Sequence, residues 1–200
     1  MPYIRPFSAI AFVLVLLLSA VPAARADTPS DGLRQSVEQV IKIMEQPGDH
    51  RPEVRKIANS IFDFQETARR ALGRHWAQRT PQEQKEFVQL FADLLERSYI
   101  SKIELYHGEK VAWLGDTVNG DDATVKTKIV TKQGTEIPVD YRMLQKDGRW
   151  LVYDVNIEGV SLISNYRTQF NKIIQTESYQ ALVDKLKAKD SQPSASPARR

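Results

Sequence analysis

The residue types that most often do chemistry are thinly spread along this chain of 200 residues. Its three histidines, His50, His75 and His107, lie in different elements with no H-x-x-x-H spacing, and the one H-x-x-E, His50-Arg51-Pro52-Glu53, has no second histidine beside it, so no metal is expected. Cysteine is absent, which excludes thiol catalysis, thiolate metal sites and disulfides. Gly115 and Gly120 bracket a turn and do not make a phosphate-binding loop. Ser161 follows Gly159-Val160 but lacks the downstream glycine of a nucleophile elbow, and its better role is helix cap. Two aspartates remain as general bases for a buried pocket. Asp140 alternates with Val139 and Tyr141 and so belongs to the polar face of its strand. Asp154 shares a face with Trp150 and Val152 by strict alternation. Its simpler role is to accept hydrogen bonds from a neighbouring loop or to pair with an arginine.

What the chain supplies in quantity is apolar and aromatic surface. Tyr99, Tyr106, Tyr141, Tyr153 and Tyr166 give a large apolar wall with polar ends, which suits a pocket mouth. The run from Trp150 to Ile157 is apolar on both faces: Leu151, Tyr153, Val155 and Ile157 alternate to one side, Trp150 and Val152 to the other. A strand apolar on both sides needs a cover on each. Helices supply one; the other is either more core or a ligand, and periodicity alone leaves that open.

The elements that must position these residues read in the order four helices, four strands, two helices. Leu33, Val37, Val40, Ile41 and Met44 recur at helical spacing until Pro47-Gly48. Pro52 opens a second helix through Ile57 and Ile61, and Phe64 to Gly73 makes a third. Thr80-Pro81-Gln82-Glu83 has the form of a capping box with proline at the first helical position. From there Phe87, Leu90, Phe91, Leu94, Leu95, Tyr99, Ile103 and Tyr106 keep to steps of three and four, predicting one long helix to Gly108. The period then changes to two. Turns at Asn119-Gly120, Gln133-Gly134 and Asp147-Gly148 join four strands as an antiparallel meander. Pro138 cannot donate to a ladder and marks an edge or a bulge in the third strand. Ser161 caps a helix through Phe170 and Ile174, and a last helix spans Tyr179 to Leu186.

Residues 1–26 read as a secretory signal peptide: Arg5, an apolar core from Ala9 to Ala20, and Ala24-Arg25-Ala26 as a small-x-small cleavage site. The core is shorter than the roughly 20 apolar residues a bilayer span needs. Residues 27–190 then form a single exported domain, and the Ser/Pro/Ala tail 191–200 is expected to be disordered. Removing Arg5 and Arg25 leaves 26 basic against 25 acidic residues, so the pI near 9.0 reflects a near balance and gives nucleic-acid binding no support. A leader without disulfides fits a bacterial periplasm.

Several blocks together resemble the MlaC-like (toluene-tolerance) family of periplasmic lipid-binding proteins. They are Phe62-Asp63-Phe64 with Ala68-Arg69-Arg70-Ala71-Leu72-Gly73 and Trp76; Thr80-Pro81 with Phe87, Leu90-Phe91 and Leu95; Tyr99, Tyr106 and Gly108-Glu109-Lys110-Val111; Val139-Asp140-Tyr141-Arg142-Met143; and the run through Asn165-Tyr166-Arg167-Thr168-Gln169-Phe170. They occur in order over residues 62–170, which is more specific than any single motif. The resemblance implies an α+β fold: a helical layer packed on a curved four-stranded antiparallel sheet, a cone like that of nuclear transport factors, with an apolar pocket for acyl chains. It implies a monomeric carrier of phospholipid between outer and inner membranes, without cofactor or covalent chemistry. Its implied partners are an inner-membrane ABC transporter with a substrate-binding ring and an outer-membrane lipoprotein–porin complex.

Face periodicity and the resemblance together place the pocket wall at Phe91, Leu94, Leu95, Tyr99, Val125, Ile129, Val139, Tyr141, Val152, Val155, Tyr166 and Phe170, with Tyr106, Arg142 and Asn165 as headgroup contacts. A carrier for another lipid such as a hopanoid, an enzyme using Asp140 or Asp154, and an adaptor whose apolar faces are only core are the alternatives.

Overall fold

A computed structural model describes residues 28–103, 106 and 108–190, without the side chains of 100–102, 189 and 190. The leader and the tail read from the sequence lie outside the described residues. The helices are α1 (Pro29–Met44), α2 (Arg51–Ile61), α3 (Phe64–Leu72), α4 (Pro81–Ile103), α5 (Leu162–Thr176) and α6 (Tyr179–Asp190), with a 3-10 turn over Gly73–Gln78 after α3. The strands are β1 (Lys110–Asn119), β2 (Asp122–Val130), β3 (Glu136–Lys146), β4 (Arg149–Ile157) and β5 (Val160–Ser161), in the order β1-β2-β3-β4-β5 and antiparallel throughout. No described helix is long and apolar enough to cross a membrane.

The start signals in the sequence act as local chemistry requires. Glu83 N–H donates to Thr80 Oγ1 at 3.3 Å and Thr80 N–H donates to Glu83 Oε2 at 2.7 Å, the reciprocal bonds of a capping box. Ser161 caps α5 by accepting from Ser164 N–H at 3.0 Å. Asp147-Gly148 turns with φ of 51° and 75°, the left-handed pair that a two-residue hairpin needs.

The structure differs from the sequence reading in four places. Helix α4 ends at Ile103, so Tyr106 lies beyond it, its N–H donating to Ile103 O at 2.9 Å. A fifth, two-residue strand exists: Glu158 and Gly159, both at positive φ, reverse the chain so that Val160 and Ser161 pair back onto Ile157 and Asn156. Pro138 sits in a central strand, at the point where the ladder to β4 starts with Val139↔Ile157. The bulges lie elsewhere, at Trp113/Gly115 and Arg142/Met143.

That second bulge matters most. Arg142 pairs with Asp154 and Met143 with Val152, so Tyr153 is an extra residue in β4. One extra residue shifts the alternation beyond it by one. Trp150, Val152, Val155 and Ile157 therefore share one face, opposite Gln145, Met143, Tyr141 and Val139. Asp154 leaves the company of Trp150 and Val152 and turns, with Arg142, to the other side. The strand that alternation reads as apolar on both faces is apolar chiefly on one.

Candidate functional site

The apolar residues collect into two cores. The helical core joins Ala68 and Leu72 of α3, Phe87, Phe91 and Leu94 of α4, Ile163 and Phe170 of α5, and Leu182 and Val183 of α6. Aromatic edges lock it: Phe91 meets Tyr166 at 5.1 Å and Phe170 at 5.2 Å, both close to perpendicular. The sheet core joins Ala123, Val125, Met143 and Val152 under Leu33 of α1, with Ile61 and Phe62 closing one side. Asp63 fixes that side to the sheet. Its N–H donates to Val152 O at 2.9 Å, its Oδ1 accepts from Glu66 N–H at 3.0 Å, and Lys146 pairs with Oδ2 at 3.1 Å.

A domain of this size usually has one contiguous core. Here the sheet face continues past the sheet core through Thr127, Val139 and Ile129, and neither core includes those residues. Helix α4 leads into β1 at Lys110, which pairs with Val130, so the last turns of α4 lie at this same end of the sheet. Among the described residues, α4 packs closely on α2, α3 and α6 rather than on any strand. Leu95 and Tyr99, on its C-terminal half, stay only half-buried.

Burial pushes the Tyr141 hydroxyl up to about 12, yet the side chain keeps accessible surface and its hydroxyl finds no hydrogen-bond partner among the described residues. Burial, then the neighbouring Tyr166, pushes the Tyr99 hydroxyl up to about 12. Tyr106 is raised by burial first, then by Glu45 and Glu109.

The residues named from the sequence divide accordingly. Phe91, Leu94 and Phe170 are in the helical core, with Leu95 and Tyr166 packed on it. Val125 and Val152 are in the sheet core, with Tyr141 and Val155 packed on it. Tyr99, Ile129 and Val139 belong to neither core. Arg142 projects from the sheet face opposite Tyr141, its Nη1 at 3.8 Å from Asp154 Oδ2. Asn165 is exposed on α5, where it accepts from Gln169 Nε2 at 3.2 Å. The sequence reading gave Leu33 and Phe62 no part in the wall; the amphipathic stripe of α1 and the F-D-F interruption were the signals for them.

Asp154 is a structural acceptor. Ser161 Oγ donates to its Oδ2 at 2.7 Å and Ile163 N–H donates to its Oδ1 at 3.1 Å, which ties the start of α5 to β4. Asp140 stands on the outer face between Lys126 and Asn156. The described residues contain no cluster of metal-ligating side chains.

Helices packed on an antiparallel meander, around two separate apolar cores, define an α+β class of fold. The particular family is settled by comparison: the model of the MlaC protein family matches residues 34–188, and the chain belongs to that family. It is 22% identical to the intermembrane phospholipid transport system binding protein MlaC of Haemophilus influenzae, over 94% of each chain. Its structure also resembles that of a phospholipid-binding protein from Ralstonia solanacearum, solved in complex with a phospholipid. That likeness has a TM-score of 0.75 and 26% identity, and covers 83% of this chain and 98% of the other.

Proposed function

We propose that this protein is a periplasmic phospholipid carrier, the soluble binding component of an intermembrane transport system that maintains outer-membrane lipid asymmetry. The observation that carries the reading is the apolar sheet end at Ile129 and Val139, with the half-buried Tyr99 of α4, which belong to neither core and which we read as one wall of an apolar slot. Acyl chains fit such a space. Two of them hold about 30 methylenes, and at ~0.8 kcal/mol each, exposing them to water would cost on the order of 20 kcal/mol. A carrier crossing an aqueous gap has to replace the bilayer with an equally dry interior. It needs no covalent step, and the one buried aspartate on β4 is committed to holding α5.

The pocket wall in this reading is Leu95, Tyr99, Ile129, Val139, Tyr141, Val155 and Tyr166, backed by Phe91, Leu94, Phe170, Val125 and Val152. Tyr106 and Asn165 remain the proposed headgroup contacts. Arg142 is set aside, since it pairs with Asp154 on the opposite sheet face. Export by the leader, donor and acceptor complexes in the outer and inner membranes, and a monomeric state complete the proposal on the strength of family membership.

Lipid extraction and mass spectrometry of protein purified from its own cell envelope tests it. Phospholipid in near-equal molar amount with protein is the expected result. A polycyclic lipid in its place would mean a carrier for another cargo, and protein free of any lipid would overturn carriage.

A further inference from the structure

A concavity forms where the end of α3 and the following 3-10 turn meet α5. This cleft of about 380 Å³ has Leu72 and Gly73 as its floor, and Arg74, His75, Arg167, Thr168 and Asn171 around it. Arg167 and Asn171 are four apart and so share one flank of α5, while Tyr166 and Phe170 share the flank that enters the helical core.

The cleft is rich in donors and poor in acceptors. Asn171 Oδ1 accepts from Arg74 Nη2 at 2.9 Å and lies 3.0 Å from His75 Nε2. With its carbonyl held by those two donors, the amide NH2 of Asn171 is turned the other way, and no described acceptor takes it. Arg167 uses only Nε, donating to Arg70 O at 3.0 Å, and its methylene stem runs over Gly73, where a Cβ would sit 3.5 Å from Arg167 Cδ. Among the described residues neither Arg74 nor Arg167 has a carboxylate partner. Arg70, by contrast, is already engaged, bonded to Glu66 and stacked over Tyr153 at 3.9 Å.

Charge is concentrated here although the chain as a whole is nearly balanced. Over residues 64–78 and 162–176 the basic residues are Arg69, Arg70, Arg74, Arg167 and Lys172, and the only acidic one is Glu66. The near balance of charge read from composition therefore hides a local excess of basic residues on α3, the 3-10 turn and α5. Two guanidinium groups offer planar forks that match the oxygens of a tetrahedral oxyanion, and an amide NH2 adds a third donor.

We propose that this cleft is a binding site for a phosphate group, presented either as free phosphate or as the phosphodiester of an anionic lipid headgroup at a membrane surface. The site is separate from the apolar slot and does not depend on which lipid the slot holds.

The test is an NMR titration of the purified protein with inorganic phosphate, and in parallel with acetate at matched ionic strength. Flotation with vesicles of phosphatidylcholine, with and without phosphatidylglycerol, is the second arm. Phosphate should shift the Gly73 and Arg74 amides and the Asn171 side-chain NH2 in a saturable way. The double variant Arg74→Gln, Arg167→Gln should bind at least tenfold more weakly and retain its co-purified lipid. Flotation that needs phosphatidylglycerol and is lost in the double variant identifies the headgroup as the source; phosphate binding without flotation identifies free phosphate. No saturable shift at these residues overturns the proposal. So does an equal response to acetate, which would point to an acidic protein instead, and so does loss of bound lipid in a folded double variant. Should that variant not fold, the wild-type titrations against phosphate and acetate decide the matter alone.

Discussion

At the residue scale, Asp154 shows how a side chain that resembles a general base is used for architecture. Its two oxygens take up the Ser161 hydroxyl and the Ile163 N–H, so the first turn of α5 cannot drift from β4. Replacing Asp154 by alanine leaves a buried N–H without an acceptor and should lower stability by about 2 kcal/mol in urea unfolding. An unchanged midpoint would mean that α5 is held by packing alone. Glu66 sets an acid limit. The Arg69 hydrogen bond first, against burial, and then Arg70 hold its carboxyl down at about 2. A depressed carboxylate stabilises the fold fully above its ordinary value near 4.5, and that stabilisation is lost as pH falls through the folded-state value. The stability gap between wild type and Glu66→Gln should therefore be constant above pH ~5 and close between pH ~4.5 and ~2. Because Arg69 is half exposed, added salt should narrow it. A gap independent of pH over that window would show that the cluster contributes nothing.

At the element scale, the signals that act between near neighbours are legible in the sequence, and those set by strand partners are not. The Thr80–Glu83 box and the Ser161 cap act between residues three apart, so they are written fully in the sequence. Thr80→Ala should cost about 1 kcal/mol and lower the midpoint of thermal unfolding by roughly 2–4 °C. A larger loss would mean that the start of α4 also anchors α6, from which Tyr179 reaches back to donate to Glu83 O at 3.2 Å. Tyr106 keeps helical spacing beyond the end of α4, since spacing does not report where backbone bonding stops. The extra residue in β4 was hidden for a related reason. Val152-Tyr153-Asp154-Val155 alternates acceptably in either register, and only the partners Met143 and Arg142 on β3 decide which residue is skipped. Val160-Ser161 was absorbed into the approach to α5, since a two-residue strand has no period of its own.

At the scale of the whole molecule, the separation of the two cores should appear in unfolding. A slot lined by apolar side chains is stabilised by whatever fills it, in proportion to the logarithm of ligand concentration over its dissociation constant. Delipidated protein should melt below the lipid-loaded form, and adding phospholipid back should restore the midpoint in a dose-dependent way. Val139→Trp, which fills the slot from the sheet side, should remove that response and keep the far-ultraviolet circular dichroism of the fold. If the variant still responds to lipid like wild type, the slot lies elsewhere. By itself the sequence determined the element order, the antiparallel meander, the caps, the aromatic stripe of α4 and the motif order that matches the MlaC family, because each rests on neighbours in the chain or on their spacing. Only the tertiary structure decided which face the residues of β4 occupy, that Asp154 holds the start of α5 with Arg142 beside it, and that a basic cleft gathers beside Asn171. Those depend on pairing partners and contacts far apart in the chain, and no local pattern carries them.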